Sequence, residues 1–384
     1  MPSRARFALL VAALVVAAGC GSSSGKEATA PPPEPAPTDA PATAAAPTTA
    51  AGPTNVYADT MGPVRPDLAN VPSRAYVPNS LANTMDVIDT STYKVIGNYN
   101  IGAGPQHVVP SWDMKTLYAN NTAGDSLTPI DPMTGKPGQS FPVRDPYNLY
   151  FTPDGQMAVV VAERYRQLDF RNPTTWELIK SVTIDHSGPN HLDFSADGRY
   201  FIISCEFSGW LVKVDLERME VVSELELGGA PIDVRLAPDG KKFYVANQQR
   251  PGNRDGVHVV DGETMAVTKF IETGKGTHGL YPSRDTRSLY ATNRLGGTVS
   301  VIDVATDTVT ATWTIPGGGS PDMGGVSADG SQFWVTGRNH GVVYVFDTTS
   351  GEVLHKIPVG KGAHGLALFP QPGRYSMGHT GNYR

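Results

Sequence analysis

Seven short apolar runs, each ending in aspartate, recur along this chain: MDVID at Asp89, TPID at Asp131, RQLD at Asp169, VKVD at Asp215, VVD at Asp261, SVID at Asp303 and YVFD at Asp347, 38 to 46 residues apart. A repeat of that length cannot bury its own apolar face; when built only of short strands and turns, it stacks with its copies around an axis. The expected fold is therefore all-β, a β-propeller of four-stranded blades.

One repeat shows the blade: NHLDFSADG reads as an inner strand and turn, YFIISCE as the second strand, GWLVKVD as the third and VVSELELGG as the fourth. The turns SWD, TPDG, SADG, APDG, SRD and SADG fill the first hairpin of successive repeats, the chemistry a tight connection needs. The seven aspartates are expected to cap turns at the outer strands. No dense DxDxDG loop occurs, which leaves calcium as the weaker reading for them. The chain enters with AYVPN, MDVID and VIGNYNIG, which lack an inner strand, and HGLALF at 364–369 supplies it. Seven blades then close by pairing the two ends, which removes exposed sheet edges.

Outside the repeats the segments are distinct. Arg4 and Arg6 precede an apolar run too short to span a bilayer, ending AAGC, so residues 1–19 read as a secretory signal. Cys20 stands where a bacterial lipoprotein is lipidated. Residues 20–54, rich in Pro, Ala and Thr without apolar period, read as a disordered tether. A lead-in at 55–73, the propeller at 74–369 and a tail at 370–384 complete the division. The expectation is an exported domain held to the outer face of the cell membrane by lipid. Beyond Cys20 only Cys205 remains, so no intramolecular disulfide is expected within the folded part, and Cys205 in YFIISCEF reads as strand filler. A net charge of -6 and no basic cluster argue against nucleic acid as partner.

The runs YVPN, YANN, YVANQ and YATNR, followed by TVSVIDVATDTV, resemble the YVTN (YncE-like) family of β-propeller repeat proteins across roughly 74–369. The resemblance implies the fold; the family is functionally mixed, so it implies no activity.

The sharper signal is at the inner-strand heads: PQH with His107, PYN with Asn148, PNH with His191, PID with Asp233, GTH with His278, SPDM with Asp322 and Met323, and GAH with His364. Inner strands line the central channel, so their first residues converge at one end of it. Imidazoles converging from separate blades can take copper, zinc or iron, or another small ligand. In this the hub resembles the histidine-lined propellers of nitrous oxide reductase and of the cytochrome cd1 group, in architecture only, since no CxxCH occurs. His278 and His364 stand one residue further from the following turn than His107 and His191. Either a bulge restores them to the channel or they face the sheet.

Rim loops on the same face carry Arg294, Arg338 and His340. The tail carries His379, and its RYSMGHT competes with AYVPN for the closing position. If AYVPN takes it the tail leaves from the opposite face, so that His379 is expected to stay apart from the other histidines unless the tail crosses the rim. GKGTHG and GKGAHG join strands rather than a strand and a helix, which excludes dinucleotide binding, and no P-loop or HExxH is present. Three functions follow. The leading one is a binding or interaction module whose channel mouth and rim engage a small ligand or another envelope protein. The others are a metal- or cofactor-binding enzyme or carrier using His107, His191, His278 and His364, and a hydrolase or lyase using them as acid and base.

Overall fold

A computed structural model describes residues 55–250, 252–379 and 381–384; the expected signal, Cys20 and the whole of the tether lie outside the described residues. Seven antiparallel sheets are arranged as blades, and the described helices are three single turns of 3-10 type. Alternation decides which strand goes where. The outer strand Glu220–Glu226 alternates exposed and half-buried residues, whereas the inner strand Pro189–Phe194 is buried throughout. A strand covered on both faces has no solvent side to pattern.

The ring closes as the strand count requires. Ala367–Phe369 pairs with Arg74–Asn79, which pairs in turn with Thr84–Asp89 and Lys94–Asn100, so the first blade takes its inner strand from the far end of the chain. Blade two has a broken edge, Lys136–Pro137 and Phe141–Pro142, because proline offers no N–H to a ladder.

The repeated aspartates cap turns, with one exception. Asp89 accepts the N–H groups of Ser91 and Thr92, Asp261 those of Glu263 and Thr264, and Asp347 those of Thr349 and Ser350. In the irregular third repeat Asn172 takes that place, accepting from Thr174 and Thr175. Asp169 is instead fully buried, paired to Arg171 at 2.9 Å and bonded by the Ser181 hydroxyl. The asparagine ending each YVTN-like run is also structural. Asn121 donates to Ser126 and Thr128, and Asn293 to Thr298 and Ser300, tying the second strand of a blade to the third. Cys205 is buried and its thiol is pushed up to about 12 by desolvation, so it is inert filler.

Every inner strand from blade two to blade seven carries a bulge near its head. In blade four Pro189 pairs with Cys205 and Leu192 with Ile203, one residue more on the inner strand than on its partner; blade six does the same at Thr277 and Leu280. That extra residue decides the geometry of the channel.

Candidate functional site

Anchoring the blades on these pairings shows that the four strand histidines occupy two adjacent positions rather than one. Pro105, Pro189, Thr277 and Ala363 are equivalent, each opposite the end of a second strand. His278, Asp322 and His364 follow directly. His107, Asn148, His191 and Asp233 come one residue later, where Gly279, Met323 and Gly365 stand in the other blades. A flat strand would send one of the two sets into the sheet; the bulge lets both reach the channel. The glycines make room: a Cβ at Gly365 would collide with the ring of His107.

The fifth imidazole comes from the tail, contrary to the expectation that His379 stays apart. AYVPN does take the closing position, and the tail does begin at the opposite face. It then runs up inside the channel. Ser376 N–H donates to the Trp112 carbonyl, Met377 O accepts from Phe151 N–H, and His379 N–H donates to the Leu149 carbonyl. The segment turns back, Met377 N–H reaching Asn382 and Tyr375 N–H reaching Arg384, so His379 sits near the tip of an inserted loop. Gly378 at φ +82° allows this approach, because a Cβ there would strike the Leu149 carbonyl.

The result is one buried cluster. His107, His191 and His379 are completely buried, and one ring nitrogen from each lies within 4.8 Å of the others. Nε2 of His191 is 3.2 Å from Nε2 of His107, and the His191 and His379 ring centroids are 4.5 Å apart. Each outer ring is held by its other nitrogen. Nδ1 of His107 donates to the Tyr147 carbonyl at 2.9 Å, which leaves Nε2 with the lone pair. Asn148 donates to Nδ1 of His379 at 3.0 Å, which leaves its Nε2, 3.6 Å from Asp233 Oδ1, as the nitrogen that can exchange a proton for a metal. Nδ1 of His191 is buried with no hydrogen-bond partner among the described residues. Burial is the largest cause of the lowered pKa at all three rings, taking His107 down to about 4 and holding His191 and His379 well below the usual range. The rings are neutral at pH 7, the form that binds metal.

His278 and His364 do something different. Both turn Nδ1 to the buried carboxylate of Asp322, at 3.2 and 2.7 Å, and a neutral His364 makes that contact by donating its N–H. Arg294 and Arg338 lie on the same carboxylate at 3.2 and 3.5 Å, partly open to solvent. The His364 ring is 4.9 Å from that of His107, so this layer lies next to the three-histidine group.

Of the other residues singled out by sequence, Asn148 holds His379, and Asp233 accepts the Leu280 N–H while facing His379. Met323 accepts a weak hydrogen bond from the Tyr281 hydroxyl and His340 bonds Ser320. Sequence reasoning gave Asp322 no role apart from Met323, and no part to Tyr147. Asp322 could have been found as the polar residue aligned with His278 and His364, once the bulge was placed.

Orphaned polar atoms gather here. Gln106 Oε1, both amide atoms of Asn120, His191 Nδ1, Asp233 Oδ1 and Gln248 Nε2 are buried without a hydrogen-bond partner among the described residues. Each such atom costs about 1–3 kcal/mol unless something outside the chain satisfies it. A surface hollow of about 970 Å³ around Thr152, Lys213 and Tyr375 is elsewhere and contains none of these groups.

Fold and site together define a seven-bladed β-propeller with a histidine-lined channel head. The chain belongs to the YNCE-like beta-propeller family, whose profile matches residues 48–372. No curated protein matches its sequence. Solved structures share the fold. A functionally unknown protein from Desulfotomaculum acetoxidans DSM 771 is 16% identical with a TM-score of 0.66, over 77% of this chain and 98% of that one. Kuenenia stuttgartiensis hydrazine synthase is 19% identical with a TM-score of 0.59, over 69% of this chain and 89% of that one. The dihydro-heme d1 dehydrogenase NirN in complex with DHE is 16% identical, also at 0.59, over 79% and 77%. At these identities the likeness is one of fold.

Proposed function

We propose that this chain is a metal-binding propeller of the cell envelope, exported and held to the membrane through lipid on Cys20, with His107, His191 and His379 as ligands to a transition metal. The observation that carries the reading is the convergence of three buried neutral imidazoles within 4.8 Å. Two nitrogens bound to one tetrahedral metal at the usual distance stand roughly 3.3 Å apart. The His107–His191 pair stands at 3.2 Å. An all-imidazole set suits zinc, copper or iron and is poor for magnesium or calcium. Residues 107, 191 and 379 replace the set 107, 191, 278 and 364 expected from sequence, because Asp322 already engages His278 and His364.

The same 3.2 Å separation is also that of an imidazole hydrogen bond, which supports a second reading: a metal-free binding module whose channel head is closed by a histidine network. Elemental analysis separates the two. The chain, purified without a histidine tag, is expected to hold one zinc, copper or iron, lost on His107→Ala, His191→Ala or His379→Ala and kept on His278→Ala. Metal-free protein that gains no thermal stability from added metal sinks the reading. The anchor is tested apart from this: Cys20→Ala should move the chain from the membrane to the soluble fraction.

A further inference from the structure

The layer between the three-histidine group and solvent holds more positive charge than it uses. Arg294 and Arg338 share one carboxylate, Asp322, which leaves one net positive charge among the three. Among the described residues Arg338 makes a single side-chain hydrogen bond, to Asp322 Oδ2 at 3.5 Å, long even for an ion pair. Arg294 makes two, to Asp322 and to Gln248 Oε1 at 3.3 Å. Beside them Nε2 of Gln248, a buried donor, has no partner among the described residues. The nearby carboxyls compensate poorly. Burial pushes Glu163 up to about 8, favouring its neutral acid, and raises Glu206 against the pull of Arg294, Arg250 and Arg338. The unused capacity is thus all donor, on two guanidiniums and an amide, and both guanidiniums remain partly open to solvent.

We infer that Arg294, Arg338 and Gln248 form a binding site for a small monoanion of carboxylate type at the mouth of the channel, next to the metal position. One negative charge balances the layer. A carboxylate fits the planar fork of a guanidinium with two parallel hydrogen bonds and accepts from the Gln248 amide as well. The small separation between this layer and His107, through His364, limits the ligand to a few heavy atoms if it is to reach both. The inference deepens the metal reading and rests on it for the neighbouring centre, while the arginine site itself binds with or without metal.

Calorimetric titration with sodium formate at constant ionic strength tests this, with formamide as the uncharged isostere, on zinc-loaded and on chelator-treated chain. Saturable formate binding is expected in both forms, with none for formamide. The double variant Arg294→Gln, Arg338→Gln should bind formate at least tenfold more weakly with unchanged metal content. Asp322→Asn, which removes the competing carboxylate, should bind it more tightly; thermal unfolding checks that each variant is folded. Absence of saturable binding, equal affinity in the double variant, or weaker binding in folded Asp322→Asn overturns the inference. Arginine-dependent formate binding in a chain that takes no metal leaves this site standing and removes the metal; metal without formate binding does the reverse.

Discussion

The two ends of the channel bury polar groups at similar depth and differ in how their charges are paired, although both leave some atoms without partners among the described residues, Arg284 Nε, Arg384 Nε and the Asn382 amide at the foot. At the foot, Arg384 is 4% exposed and closes on Asp193 at 3.1 Å and on the carbonyls of Phe194 and Ser195. Arg284 likewise reaches Gln371 and two carbonyls, and the Tyr57 hydroxyl donates to Leu236. At the head, five imidazoles share few partners and several amide atoms have none. Buried polarity that is matched stabilises a fold, and buried polarity left unmatched costs stability unless a ligand completes it. The inserted tail joins the two ends: it is anchored at the foot and delivers His379 to the head.

This contrast can be broken by measurement. Arg384→Met removes the ion-pair partner of the buried Asp193, leaving it the Phe194 and Leu236 N–H groups, and should cost about 3–5 kcal/mol in denaturant unfolding. A loss under about 1 kcal/mol would mean that the foot is no more structural than the head. Acidification is the next largest effect. The folded pKa of His107 is held near 4, below its ordinary 6.5, so between those values the unfolded chain binds the proton that the folded one refuses. The contribution of this ring is therefore constant above about pH 7 and falls as pH drops from 6.5 toward 4, by up to roughly 3 kcal/mol, while Glu163, held up to about 8, works in the opposite direction. His191, His278, His364 and His379 shift in the same direction as His107 and add to its loss. Urea midpoints of the chain and of its His107→Ala variant across pH 4–8 check the sign: the chain should lose stability relative to the variant on acidification, and a relative gain would contradict it.

Asn148→Ala frees the nitrogen of His379 that faces away from Asp233, and should weaken metal affinity by about 10–100-fold while leaving the fold intact. Competition with a chelator of known affinity reads it. Least of all, Asp261→Ala removes only a turn cap on an outer strand and should stay within about 0.5 kcal/mol of the parent. A large effect there would mean that the repeated aspartates do more than end strands.

Much of this was legible in the sequence for a physical reason: each blade is built from local signals. Apolar runs of four to seven residues, Ser-x-Asp and Asp-Gly turns and a missing first inner strand are read along the chain, and they set blade number, strand order and closure. His107 and His191 were legible as converging residues because topology alone brings strand heads together. Asp169 misled because its run looks like the others, while the turn it was taken to cap is held three residues later by Asn172.

What the sequence could not carry is anything that depends on one extra residue or on a path through space. The head bulge sorts the histidines into two sets; the one-residue offset of His278 and His364 left it as one of two outcomes, and only the closed ring, with Gly279 and Gly365 beside these histidines, decides for it. The course of the tail is decided by the open channel and by Arg384 meeting Asp193, groups 191 positions apart. Strand pattern and turn chemistry are local and so determine the ring. Which side chains meet at its axis is a long-range outcome, settled only when seven blades close around a loop that fits between them.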